Sequence, residues 1–242
     1  MSSYLERYRA GEREQVWAEL VALGPAVRDE AVFPDAQAVA REMMLRVRCN
    51  IAVLIMRLQQ LDYQFFLGIQ HAWTIPRKQD YQMLAKLQKG RGPLPLVALT
   101  WAEMIGEVDL CGSHPRLSSS VSLDQRGHTP PVSDPLVFGI TPISMTDVWP
   151  LDATRTQYAL TVAPDECMKA ETSGGAGSIL ILPNASFDAA FRSADWWNGL
   201  ELIPYLRTCF AWGGFPGLRD QPEAAAAARE ELAFLTKDLL PI

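Results

Sequence analysis

Apolar positions in the first third of the chain recur at helical intervals. Tyr8, Val16, Leu20 and Leu23 form one stripe on a segment from Tyr4 to Leu23, and Gly24-Pro25 stops it. Gly11 inside that segment weakens a helix by about 1 kcal/mol against alanine, so a kink or break is expected there. The strongest periodic signal comes next. Ala40, Met44, Val47, Ile51, Leu54, Leu58 and Leu61 alternate spacings of four and three, which is one face of a long helix. Such a seam serves either a partner helix or the chain's own core, and the large apolar remainder of the chain favours inward packing. Pro34-Asp35 offers a start, with Asp35 as N-cap. Tyr63–Leu67 reads as a strand, followed by a loop through His71, Trp73 and Pro76. Lys78–Gln88 reads as a helix carrying Tyr81, Leu84 and Leu87.

At Gly92 the pattern changes. Gly92, Pro93 and Pro95 hold the backbone extended. Leu96, Leu99, Trp101 and Ile105 then repeat at helical spacing up to Gly106, a natural stop. Val108, Leu110 and Cys111 continue as a strand. Further strands are expected at 136–140, 158–162 and 178–182, each bounded by Pro, Gly, Asp or Asn. Trp196–Trp212 holds a helix with Leu202, Leu206, Cys209 and Phe210 inward and Gly213-Gly214 as its cap. A last helix opens at Pro222 with Leu232, Leu235 and Leu239 buried. Between these elements, Ser113–Pro135 contains three consecutive serines, Gly127, Pro115, Pro130 and Pro131, and few core formers. A stretch that long is either a recognition loop or disordered. The order of elements implies an α+β fold, with N-terminal helices packed on a mainly antiparallel sheet flanked by helices. Residues 1–90 form the helical portion and 91–242 the α+β portion of one continuous unit.

Composition narrows the class without naming a reaction. The 242 residues are 48% hydrophobic and 21% charged, ordinary for a globular protein. No apolar run has the length of a spanning helix, and Met1-Ser-Ser-Tyr-Leu-Glu-Arg is charged where a signal peptide needs an apolar core, so a cytoplasmic location is expected. Cys49, Cys111, Cys167 and Cys209 stand far apart, which suits reduced and mostly buried thiols. The net charge of −6 is uneven. Residues 1–92 carry 13 Lys+Arg against 10 Asp+Glu, and residues 93–242 carry 9 against 18. An acidic half disfavours nucleic acid and anionic membranes, and suits either a basic partner or simple solubility.

Candidate chemistry is sparse. Cys111, His114, His128 and Cys167 contain one close pair of mixed type, whereas structural zinc sites use two, so no metal is expected. The glycine-rich Ser173–Ser178 run precedes a strand and has no lysine after it, which suits a hairpin turn better than a phosphate loop. No nucleophile elbow is present. Paired carboxylates occur at Glu107/Asp109 and Asp165-Glu166, but nothing in the sequence fixes their geometry. No cofactor is implied.

The ordered set Leu94-Pro95, Trp101, Gly106 and Val108-Asp109-Leu110 resembles the helix-and-strand motif of the SMI1/KNR4 (SUKH) superfamily. Asp134-Pro135-Leu136 resembles the segment that opens a following strand there. Ala163-Pro164-Asp165, Lys169, Ser173-Gly174-Gly175, Leu182-Pro183-Asn184, Asp188, Tyr205-Leu206-Arg207 and Trp212–Gly217 are similar to a bacterial subgroup of related proteins. The resemblance covers about residues 90–217. It implies a non-enzymatic immunity protein that binds a cognate bacterial toxin and occludes its active or substrate-binding surface. A regulatory or scaffolding module without a toxin partner is the alternative. A hydrolase using Asp165 and Glu166 is a third reading, tested by alanine substitution at either residue.

The acidic bias of residues 147–201, eight Asp+Glu against three Lys+Arg, points to a partner with a basic cleft. The expected partner-binding residues are Glu107, Asp109, His114, Asp134, Asp165, Glu166 and Glu171. The sequence sets no oligomeric state.

Overall fold

The computed structural model describes residues 2–119, 133–140, 148–170 and 175–242. The first expected helix is two, α1 (Tyr4–Ala10) and α2 (Arg13–Ala22). They are separated at Gly11, whose φ of 114° is open to glycine at little steric cost. Ser3 and Glu6 close a capping box at the start of α1. The long helix α3 (Phe33–Gln60) buries the whole expected seam from Ala40 to Leu58 and adds Ala36, Val39 and Met43 to it.

Asp35 does not cap α3. It lies inside the first turn, and its carboxylate accepts the N–H groups of Tyr4 at 2.6 Å and Leu5 at 3.2 Å instead. Those are free donors at the positive end of α1, where an anion is favoured. Two N-terminal helices are thereby locked at a fixed angle.

Helix α4 (Lys78–Arg91) buries Leu84 and Leu87 and leads to α5 (Leu96–Met104), in which every residue from Leu96 to Ala102 is buried. A helix buried on all sides must satisfy its ends within the protein. The N–H groups of Leu96 and Val97 donate to the carbonyls of Ser186 and Phe187, both at 2.9 Å. Arg28 reaches the Leu94 carbonyl at 2.7 Å. At the other end, Gly106 has φ 89° and stands so close to Thr74 and Pro76 that a Cβ would clash. Its carbonyl accepts the Trp101 indole N–H at 2.8 Å.

Among the described residues the strands form three small antiparallel sheets. Strand β1 (Gln64–Phe65) pairs with β4 (Gly112–Ser113). Strands β2 (Trp73–Thr74), β3 (Glu107–Asp109) and β5 (Val137–Gly139) lie in the order β2-β3-β5. Strands β6 (Val148–Pro150), β7 (Tyr158–Pro164) and β8 (Gly177–Leu182) follow chain order. A short helix, α6 (Glu166–Lys169), stands between β7 and β8. β2 and β6 are absent from the sequence reading because two or three residues show too little alternation to be detected.

The helix expected from Trp196 begins later, as α7 (Leu202–Ala211). The last expected helix is divided into α8 (Pro222–Ala227) and α9 (Arg229–Thr236) at the buried Ala228. Trp196 and Trp197 precede α7 and stack on its Tyr205, with ring centroids at 5.9 and 4.5 Å. The aromatic core continues through Phe191 and Phe138 to Trp101, each ring meeting the next edge-on. None of the four cysteines is in a disulfide. Cys209 is buried and Cys111 partly so, but Cys49 and Cys167 are exposed, contrary to the burial expected for most of them.

Two buried carboxylates tie distant segments together. Asp134 pairs with Lys169 at 2.6 Å, and neither side chain has any exposure. Its other oxygen accepts the Trp196 indole N–H at 2.9 Å. Asp134 has φ 45° and packs against Gly217 too closely for a Cβ there. Asp188 accepts N–H groups from Ala189, Leu202 and Ile203 and the indole N–H of Trp17, so one carboxylate caps α7 and holds α2 against it.

Removing one partner of a fully buried pair strands a charge, at a cost of about 3–5 kcal/mol. Lys169→Met and Asp134→Leu should each lose that much in urea unfolding, while the double variant loses clearly less than the two losses combined. Burial pushes the Asp188 carboxyl up to about 6, against the opposing effect of its four N–H donors. A carboxylate raised from 3.8 makes the folded state bind more protons than the unfolded state, so its contribution falls as pH rises from about 4 to about 6. The carboxylates held low, Glu19 and Asp152 at about 2, act in the opposite sense and below that window. Unfolding free energy measured between pH 4.5 and 6.5 should therefore fall with pH in the wild type and flatten in Asp188→Asn.

Candidate functional site

The β2-β3-β5 sheet turns one face to the core and one outward. In β3, Val108 is buried against the interior, so Glu107 and Asp109 share the opposite face. Glu107 stands across from Gly139 on β5 and Thr74 on β2, and its side chain lies over the bare Cα of Gly139. Asp109 is oriented by the Cys111 N–H, which donates to its Oδ1 at 2.8 Å. Asp80 on α4 adds a second negative charge beside Glu107, partly countered by Arg77.

Exposed apolar side chains lie on segments that meet both ends of β3. On one side the turn after β1 carries Phe66, Leu67 and Ile69, with Leu67 64% exposed. Phe66 N–H donates to the Cys111 carbonyl and Asp109 N–H to the Ala72 carbonyl, which fixes this turn next to β3. On the other side Ile75 follows β2 and is 56% exposed, and Tyr81 on α4 is anchored through its hydroxyl to the Glu103 carbonyl at 2.9 Å. An acidic strand face with exposed apolar side chains on the segments at its ends is a surface suited to docking, since exposed hydrophobic groups near a charged centre mark interaction sites.

Only part of the expected binding set gathers here. Glu107 and Asp109 do. Asp134 does not, being fully buried in its pair with Lys169. Asp165 is also buried, 4% exposed, and its two oxygens accept the N–H groups of Met168 at 2.8 Å and Ala176 at 2.5 Å. Neither can reach a partner in the folded protein, which corrects their assignment to an acidic outer face. Both anchor the β7–β8 connection instead. A carboxylate near backbone donors gains more from closing a turn than from facing solvent. His114 lies elsewhere, with its Nδ1 accepting the Arg116 N–H, and burial lowers its pKa.

Glu171 and the side chain of Glu166 lie outside the described residues, as do His128 and the serine-rich 120–132 segment. Among the described residues no group of His, Cys, Asp and Glu is arranged to hold a metal ion. The two ends of the serine-rich loop are pinned together, because Ser133 donates through both N–H and Oγ to the Ser118 carbonyl. In the glycine-rich run, Gly175 packs on Asp165 and Met168, and Gly177 already belongs to β8.

Sequence reasoning missed these exposed apolar side chains. Phe66, Leu67, Ile69 and Ile75 look like any strand or loop residues until tertiary packing leaves them uncovered. The only local signal is Gly68 directly after Phe66-Leu67, a turn glycine with φ 82°.

Comparison with protein-family models, with curated proteins and with solved structures finds no match to this chain. No helix among the described residues is long and apolar enough to cross a membrane.

The acidic strip makes a titration prediction. Burial first, and Asp80 second, raise the Glu107 carboxyl above its ordinary value, with Arg77 opposing. A carboxyl NMR titration should find Glu107 above the usual glutamate range. Its raised pKa makes its contribution to stability decline as pH rises through that value. Glu107→Gln should thus be at least as stable as wild type at neutral pH, and that advantage should vanish at pH 4.

Proposed function

We propose that this chain is a cytoplasmic immunity-type protein that binds and neutralises a cognate bacterial toxin, with the outer face of the β2-β3-β5 sheet as its contact surface. The observation that carries this reading is the placement of Glu107 and Asp109 on one face of β3, with exposed apolar side chains on the segments at both ends of the strand. The toxin reading itself comes from the SUKH resemblance. The surface supplies a mechanism. Carboxylates fixed on a rigid strand steer a basic partner and set its register, while Leu67, Phe66 and Ile75 supply apolar area that is buried on contact. Inhibition then follows from occlusion of the toxin's catalytic or substrate-binding cleft, and it requires no catalytic group, metal or cofactor in this chain.

Co-expression with the product of the adjacent open reading frame tests the reading. Wild type should restore growth and co-purify with that product. Leu67→Glu and Glu107→Lys should each weaken the complex by about tenfold or more, roughly 1.4 kcal/mol, without a matching loss of stability. Glu230→Lys on exposed α9 serves as the control. Absence of both rescue and complex would rule out the toxin partner, and a complex indifferent to both substitutions would rule out this surface.

A further inference from the structure

A second feature lies on the far side of the helical portion, where α1, α2, α3 and α7 meet. Tyr8 on α1 is fully buried. Its ring has the Arg13 guanidinium at 5.9 Å and the Arg46 guanidinium at 5.7 Å. Arg207 on α7 belongs to the same group, lying over Trp17 at 5.4 Å and acting electrostatically on the Tyr8 hydroxyl together with Arg46 and Arg13.

The hydrogen bonding of this group is incomplete in a consistent direction. Arg46 donates to Glu42, and Arg207 donates to the Ile242 carbonyl and pairs with Glu14. The Tyr8 hydroxyl, Arg13 Nε and Arg207 Nη2 are buried and have no partner among the described residues. All three carry a hydrogen to donate. A buried polar atom left unserved costs about 1–3 kcal/mol, so three such donors in one place call for an acceptor. Charge points the same way. Among the described residues Arg9 and Arg46 share the one carboxylate of Glu42, and Arg207 forms its ion pair with Glu14. Arg13 makes no ion pair among the described residues.

We propose that Tyr8, Arg13 and Arg207 form a binding site for a small oxyanion, a phosphate, sulfate or carboxylate group, at the junction of the N-terminal helices with α7. A guanidinium edge presents paired N–H groups that match the oxygens of such a group, and a tyrosine hydroxyl adds a third donor. The site joins elements that are far apart in sequence, so an anion bound there stabilises the packing of α1 and α2 on α7. It is distinct from the acidic sheet face and does not depend on the toxin reading.

The test is thermal unfolding and calorimetry of the whole chain with sodium phosphate, sulfate or acetate against chloride at matched ionic strength. Wild type should gain about 3–6 °C in Tm at anion concentrations roughly tenfold above Kd, as binding linkage requires for a chain of this size. Calorimetry should show one saturable site for at least one of the three anions. The order of the three distinguishes a tetrahedral oxyanion from a carboxylate. Arg13→Met and Tyr8→Phe should lose most of the shift and the heat, while Arg41→Met, at an exposed position on α3, keeps both. Arg13→Lys retains the charge without the planar fork and should fall between. Absence of any saturable binding, with ordered water serving the three donors, overturns the proposal. A shift that Arg13→Met and Arg41→Met share equally also overturns it, since it reports general charge screening.

Discussion

The ion pair between Asp134 and Lys169 constrains more of this protein than its size suggests. Two opposite charges without water must find all their partners inside the chain, because the desolvation penalty is otherwise uncompensated. Lys169 comes from the connection between β7 and β8, and Asp134 from the residues that precede β5. Trp196, which completes the carboxylate's hydrogen bonds, comes from the segment leading into α7. Those three segments can assemble in few other ways. Asp134 accepts a left-handed backbone to hold its place, and Gly217 leaves the room it needs. Tyr205 and Trp197 then stack beside the pair and extend the aromatic core toward Trp101.

Asp188 performs a related task between the two portions of the chain. Its four N–H donors include two at the start of α7 and the indole of Trp17 on α2. The helical and sheet-bearing portions are thus joined by directed polar bonds as well as by the apolar seam of α3. Leu54 of that seam and Leu110 after β3 both border Gly214, where close backbone approach brings the α7 terminus against them. Burial raises the Asp188 pKa although its N–H donors favour the charged form, so the net stability that this carboxyl contributes falls as it ionises.

These internal demands decide which acids are left for the surface. The acidic second half suggested one continuous binding face. Asp134, Asp165 and Asp188 are consumed inside the fold, and Glu107 and Asp109 remain outward on β3. The surface available to a partner is therefore smaller than the charge count implied, but it is rigid and has exposed apolar side chains at its ends that the charge count could not show.

The sequence by itself determined the N-terminal helices through α5 and the longer strands, but not where α7 begins, the division of α8 from α9, or α6. The α3 seam, the break at Gly11, the buried α5 before Gly106 and the strands β7 and β8 each repeat a local period over enough residues to be read. It paired Glu107 with Asp109 but left their geometry open, and β3 puts both on the face opposite Val108. Tertiary structure alone decided the rest. The two- and three-residue strands β2 and β6 exist because neighbours supply their hydrogen bonds. Asp35 serves α1 because α1 lies beside it. Asp134 is buried because Lys169, 35 residues away, meets it, and Tyr8 sits among guanidinium groups from three other helices. Local periodicity is written in adjacent residues, whereas the pairing of a charge or a donor depends on what long-range packing brings within 3 Å.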